Sequence, residues 1–376
     1  MNTINSLIEI SRKYGSNPEF VLGGGGNTSC KDNGILTVKA SGFALATIDE
    51  NGFVKLDLKQ VLAILENTFS TVPAQREKQI LDALQDARLH RETLRPSVET
   101  ILHALFPYTF VVHTHPAIIN GLCCSNWGEN IVSELFGNSI AWLPYTTPGY
   151  ILSKTVYDLF SQYRKSGHDI PHIVMLQNHG IFIAADSTAE IDKLYETVIS
   201  AILKKISTQP DMSPITVNTQ DMDKIISTIK KYFPDQAIHI ANTKACSSFL
   251  ETNETFKPLS EPFTPDHIVY AGAKPLYVKK DTAMDPEKLK LAINQFVETE
   301  EFSPKIIAVE KTGVFALSDT RKKAELAMAL FLDAVKIASL AERFGGSHHM
   351  NKADIDFIKN WEVEHYRAKV TAEKKG

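Results

Sequence analysis

The sequence predicts an α/β fold that opens with an antiparallel sheet, and three observations predict it. Segments ILTVKAS (35–41) and FVKLDL (53–58) alternate apolar and polar residues as half-buried strands do, with Asn33-Gly34 and Asn51-Gly52 as turns. Stretches with apolar residues at helical spacing lie before and after them. A break rich in Ser, Thr, Pro and Asp, STQPDMSPITVNTQD (207–221), reads as a linker and divides the chain into 1–206 and 222–376. The 376 residues are 43% hydrophobic and 22% charged, enough for one large core or two smaller ones, which excludes disordered and fibrous classes. No apolar run approaches the roughly 18 residues of a membrane span, and the N-terminal residues carry no signal-peptide pattern. The expectation is a cytoplasmic chain without a membrane partner. A net charge of −4 gives no electrostatic reason for a nucleic-acid partner. Cys30, Cys123, Cys124 and Cys246 form no CxxC or paired framework and read as reduced thiols.

Taken in order, Ile4, Leu7 and Ile8 place an amphipathic helix over 4–14, ended by Gly15. Four glycines (23–26) and Asn27-Thr28-Ser29 follow, then the hairpin. Leu58, Val61, Leu62 and Leu65 mark a helix, and residues 74–91 form a charged helical stretch. Pro96 stands just ahead of a helix SVETILHAL, and TFVVHTHP (109–116) is a β-branched strand. A helix near 151–165, strands HIVML (172–176) and IFIAA, and a helix over 188–206 complete the first part. Residues 173–191 match 306–324 without a gap, sharing Ile173/Ile306, Gly180/Gly313, Phe182/Phe315 and Asp186/Asp319, with His179 aligned to Thr312. Either the second part is a degenerate copy or two strand-turn-strand-helix units coincide.

The chemistry-bearing residues begin with the histidines. His113 and His115 are one residue apart on a predicted strand, so both imidazoles point to one face, the spacing that suits a metal. His179, in a Gln-Asn-His-Gly turn, is the candidate third ligand; a hydrogen-bonded edge-strand pair is the plain alternative. Glu99, fourteen residues before His113, either serves the helix dipole in its first turn or stands beside the metal as general base. The tract Gly23–Asn27 precedes a hairpin and no βαβ unit, which disfavours a nucleotide cofactor; its exposed amides, with Ser41-Gly42, suit phosphate oxygens instead.

In order, GGGGNTS, VKASG, RPSVET, VVHTHP and LQNHGIF resemble the class II aldolase/adducin family over about residues 1–205. The resemblance implies a three-layer α/β/α fold with a largely antiparallel central sheet and a homo-oligomer. It implies metal ligands at His113, His115 and His179, with Zn²⁺ or another divalent transition metal, and an acid/base at Glu99. It also implies a phosphate site at Gly26, Asn27, Ser41, Gly42 and Ser97, to which Thr28 is added as a neighbouring donor. Many members carry two serines where this chain has Ser97-Val98. Tyr145 or Tyr150 in PYTTPGY would supply a second proton donor, with Tyr145 preferred. The implied activity is aldol cleavage of a phosphorylated ketose, such as rhamnulose or fuculose 1-phosphate; 4-epimerases, dehydratases and decarboxylases share the ligand set. An adducin-like interaction module is the non-catalytic alternative, and retention of all three histidines and the glutamate speaks against it. TPDHIVYAGAKPLYV, GVFALSDTRKKAE and WEVEHYRAK look like the segment after the aldolase module in long bacterial aldolase/alcohol dehydrogenase fusions. Residues 211–376 show no nucleotide fingerprint, so no dehydrogenase activity is expected. The remaining features read plainly: Cys123-Cys124 as buried small residues, His348-His349 as loop, and Arg88, Arg91 and Arg95 as a solvated helical face.

Overall fold

The computed structural model describes residues 3–89, 92–216 and 219–361. Two compact units emerge. The first holds the described residues up to Ile119 together with Glu129–Lys204; the second holds Asn120–Gly128 together with those from Lys205 on. Among the described residues no helix is long and apolar enough to cross a membrane.

The first part runs α1 (Thr3–Gly15), β1 (Asn27–Asp32), β2 (Ile35–Lys39), β3 (Phe53–Asp57), α2 (Leu58–Ala63), α3 (Pro73–Asp86), α4 (Thr100–Leu105) and β4 (Phe110–Thr114). It continues with α5 (Ala117–Cys123), α6 (Gly128–Phe136), β5 (Ile140–Leu143), α7 (Tyr150–Lys165), β6 (Ile173–Leu176), β7 (Gly180–Ala185) and α8 (Thr188–Lys205). Seven strands form one sheet in the order β3-β2-β1-β4-β7-β6-β5. Every pair is antiparallel except β5 with β6. Because successive strand residues face opposite ways, Leu36, Val38, Val111 and Phe182 meet α2, α3, α4 and α7 in one apolar layer. On the opposite face Thr28 and Thr114 bond to Ser11 of α1 and Tyr195 of α8. The result is the three-layer α/β/α arrangement with a largely antiparallel sheet.

Three local readings change. β1 is a strand although NTSCKD shows no apolar alternation, because its polar residues bond inside the protein. The helix expected just after Pro96 begins only at Thr100, since Pro96 bridges Ala40 and Ser41 N donates to the Arg95 carbonyl, holding 95–97 beside the sheet. Glu99 thus stands at the N-cap position of α4, where its side chain makes no capping bond, and is not part of the first turn. The charged helix ends at Asp86, not 91. Arg88 leaves the helical face and donates to the carbonyls of Gln85 and Leu94. Arg91, and WEVEHYRAK beyond Trp361, lie outside the described residues.

The second unit contains α9 (Thr219–Tyr232), β8 (Ala237–Ala241), α10 (Lys244–Phe249), α11 (Asn253–Phe256), β9 (Leu276–Val278), α12 (Lys280–Ala283), α13 (Pro286–Glu300), β10 (Ile306–Val309), β11 (Gly313–Ser318), α14 (Arg321–Ala341) and α15 (Lys352–Asn360). Its four strands are ordered β8-β11-β10-β9. β8 and β10 flank β11 antiparallel, and β9 joins β10 parallel. Met222, Ile225 and Ile229 of α9 pack with Leu289 and Ile293 of α13 over Ile307 and Phe315. Cys123, Cys124 and Cys246 are buried free thiols, as is Cys30 in the first unit. The Ser/Thr/Pro/Asp-rich stretch is partly ordered against this unit: Ile215 N donates to Asn242 O and Ala245 N to Asp211 O.

Candidate metal centre and its carboxylate

Central strand β4 supplies the first imidazole. His113 is fully buried and stacks on Phe182, its partner across the β4–β7 pair, with ring centroids 4.0 Å apart. Its Nδ1–H donates to the Ile181 carbonyl at 2.9 Å, which directs Nε2 the other way. His115 lies one residue beyond the end of β4, and its Nε2 is 2.9 Å from His113 Nε2. His179 arrives from the β6–β7 turn, where Asn178 takes a left-handed φ of 54°. All three ligand atoms lie within 4.8 Å of one another. Nitrogens bound to tetrahedral zinc stand about 3.3 Å apart, a value bracketed by the 2.9 Å between His113 and His115 and the 4.8 Å that bounds the set, so the three imidazoles are placed to converge on one cation.

Gly180 makes the approach of the turn to β4 feasible. A Cβ there would lie 2.6 Å from both His115 Cδ2 and the Thr114 carbonyl oxygen. Gly180→Ala is therefore expected to cost about 1–3 kcal/mol of stability, read as a lowered urea midpoint; an unchanged midpoint would refute this contact.

Glu99 completes the centre. Its Oε1 is 3.5 Å from Nε2 of both His113 and His179. That oxygen is buried and accepts no hydrogen bond, whereas Oε2 accepts from Asn27 Nδ2 at 2.5 Å. A buried carboxylate oxygen without a donor is costly unless a positive charge faces it. A divalent cation held by the three imidazoles fits that requirement.

Behind Glu99 stands a relay that the sequence reading missed. His103 Nε2 bonds Asn27 Oδ1, and its Nδ1 is 2.8 Å from Ser29 Oγ. Since Asn27 Nδ2 serves the carboxylate, its Oδ1 accepts, so His103 donates from Nε2–H and accepts the Ser29 hydroxyl at Nδ1. Burial holds the His103 pKa far below the ordinary histidine range, with His113 and nearby lysines acting the same way, so the ring stays neutral. The signal was present: Glu99 and His103 are four residues apart, and Asn27 and Ser29 two apart, the periods that put each pair on one face. His103→Phe should lower kcat about 10–100-fold while metal content and KM hold, the usual scale for an outer-shell partner. Metal loss in proportion to kcat would make it merely structural.

The other expected residues divide. Gly26 lies under the centre: it has a φ of 66°, and a Cβ there would come 2.8 Å from the His113 carbonyl oxygen. Asn27 and Ser97, expected at a phosphate, are turned to Glu99, with Ser97 Oγ accepting from Glu99 N at 3.3 Å. Ser41 Oγ donates to the Pro96 carbonyl at 3.2 Å, and Gly42 follows it with a φ of 82°. Thr28 is a correction. Strand alternation sends it to the opposite face, where its hydroxyl lies 2.7 Å from Ser11 Oγ. Tyr145 is half-buried, and its backbone N donates to Gln177 Oε1 at 3.1 Å, tying its loop to the turn that carries His179.

Residues 5–202 match the family model described as the class II aldolase and adducin N-terminal domain. A curated relative, the uncharacterized oxidoreductase YuxG of Bacillus subtilis, is 24% identical over 413 residues. The match takes in 97% of this chain, which spans 58% of that relative's length. Among solved structures, the N-terminal class II aldolase domain of a conserved Thermoplasma acidophilum protein is 31% identical, covering 54% of this chain and 92% of that one with a TM-score of 0.45. The L-fuculose-1-phosphate aldolase of Thermus thermophilus is 13% identical, covering 53% and 91%, with a TM-score of 0.35.

Proposed function

Since the chain belongs to the class II aldolase and adducin family, we propose that it is a zinc-dependent aldolase cleaving a phosphorylated ketose, such as rhamnulose or fuculose 1-phosphate, to dihydroxyacetone phosphate and an aldehyde. One observation carries the reading: three converging imidazoles share their space with a buried carboxylate oxygen that no hydrogen bond satisfies.

His113, His115 and His179 would hold the ion. When bound, it supplies Lewis-acid stabilisation of the negative charge that develops on the substrate oxygens. Tyr145, entering the step as the phenolate, takes the proton of the C4 hydroxyl as the C3–C4 bond breaks and C4 leaves as an aldehyde carbon, and after release that proton returns through solvent to Glu99, restoring both groups. The bonding pair passes into C2–C3. Glu99, which faces the cation site as a carboxylate in the substrate-free protein, would carry a proton at Oε1 once substrate oxygens stand in its place. It then delivers that proton to C3 and is left ionised, so the proton lost at O4 is matched by the one gained at carbon. In the synthetic direction Glu99 removes that proton again. Asn27 fixes Oε2, leaving Oε1 as the oxygen that carries the proton. Ser41 and Gly42, beside the Pro96 segment that leads to Glu99, are the proposed phosphate contacts.

The test is product analysis of the zinc-loaded protein with a panel of ketose 1-phosphates. Dihydroxyacetone phosphate and an aldehyde are expected, with no covalent adduct on borohydride treatment. An isomer of unchanged mass would replace this reading with 4-epimerisation, and a borohydride-trapped lysine would exclude it.

A further inference from the structure

The second unit repeats the order of elements from α4 to α8, with α12 as one additional short helix between β9 and α13. A constant 133 residues separates Ile173 from Ile306, Leu176 from Val309, Gly180 from Gly313, Ala185 from Ser318 and Thr188 from Arg321, the bounds of β6, β7 and the start of α8 against β10, β11 and α14. Pairing carries the match further. Antiparallel β4–β7–β6 with parallel β5 has the same order and senses as β8–β11–β10 with β9. Ala141 faces Val174 as Leu276 faces Ile307, a spacing of 135 (276 less 141), and that spacing takes Lys165, the end of α7, to Glu300, the end of α13. Likewise Thr114 faces Ile181 as Ala241 faces Val314, a spacing of 127 (241 less 114), which takes the end of α4 at Leu105 to the end of α9 at Tyr232 and the start of α5 at Ala117 to the start of α10 at Lys244.

Backbone detail agrees. Asn178 and Lys311 are both left-handed, with φ of 54° and 51°. A Cβ on Gly180 would press on Thr114 and His115; one on Gly313 would meet Ala241 and Asn242. Unrelated β-β-α units have no reason to share turn conformation, glycine neighbours, register and a parallel fourth strand.

We propose that the second unit is a duplicate of the α4–α8 half whose metal centre has been lost. His113 faces Phe182 as Ile240 faces Phe315, so Ile240 stands in its place. Asn242, next after Ala241, stands for His115, and Thr312, before Gly313, stands for His179. Glu99 corresponds to Ile226 on α9. At the matching place Asn242 Nδ2 donates to the Thr312 carbonyl at 2.9 Å, joining the two positions that His115 and His179 hold in the first unit, and Val314 takes the place of Ile181 in the register. No counterpart of β1–β3, the strands bearing Asn27 and leading to Ser41, is present among the described residues of this unit. The second unit is therefore a scaffold descended from a catalytic half, and among the described residues the three-histidine cluster lies in the first unit alone.

Because this rests on His113, His115 and His179 being ligands, the test separates the two claims. The full chain carrying Ile240→His, Asn242→His and Thr312→His is loaded with zinc, desalted and assayed for metal by mass spectrometry. The zinc-to-chain ratio should rise from one to two, and return to one when His113→Ala is added. A variant with native circular dichroism and a cooperative melt that stays at the wild-type ratio overturns the proposal. Wild-type protein without zinc would sink the ligand reading alone, since the gain in the triple variant still measures the second centre. Should the triple variant not fold, Asn242→His/Thr312→His, which keeps the apolar Ile240, is titrated with Cu²⁺ in a His113→Ala/His115→Ala/His179→Ala background. Paramagnetic resonance should show two-nitrogen coordination, and its absence from the folded protein counts against the duplicate.

Discussion

Replacing His113 with alanine is expected to strip the protein of its metal and to lower turnover by at least about 10⁴-fold, the rate equivalent of losing several kcal/mol of Lewis-acid stabilisation. The reason is positional. His113 is held at one ring nitrogen by Ile181 and against one face by Phe182, so its other nitrogen has a single orientation. Because the side chain lies in the core, the variant also leaves a cavity, and its melting temperature should fall. His179→Ala separates the two effects: its side chain sits in a turn, so metal and activity should be lost with a smaller change in melting. Retention of zinc by both variants would contradict the ligand assignment.

The second large effect is that of Glu99→Gln. It should lower kcat by about 10²–10⁴-fold, the range of general acid–base catalysis, with zinc content unchanged and KM within a few-fold. Glutamine preserves shape and can still accept from Asn27, but it has no carboxyl proton to give to carbon. A kcat within three-fold of wild type would remove Glu99 from the proton path. Loss of zinc instead would make it chiefly a charge partner of the metal centre.

Much of the site was legible because it obeys short-range periods. His113 and His115 follow strand alternation, His179 sits before a glycine that the close approach to β4 demands, and Glu99 precedes a helix leading into that strand. Residues whose role depends on which face meets which were harder to read. Thr28 is one step along β1 from Asn27, and that step carries it from Glu99 to α1. β1 itself was hidden because its burial is satisfied by hydrogen bonds, leaving no apolar pattern to see. The start of α4 was displaced because the Ala40–Pro96 bridge outweighs the preference of proline for a first helical turn. His103 was overlooked although it shares a helix face with Glu99.

The proposed duplication shows the same division. Nineteen residues matched in sequence because a tight strand-turn-strand constrains glycine and aromatic positions. Elsewhere the two halves need only apolar residues of similar size, so Ile226 and Ile240 say nothing of their counterparts until strand register aligns them.

The most direct measurement is turnover of a ketose 1-phosphate by one protein preparation before chelation, after thorough removal of metal, and after stoichiometric zinc is returned. Dihydroxyacetone phosphate release should vanish with the metal and be restored at one zinc per chain. Full turnover in the metal-free protein would contradict the account.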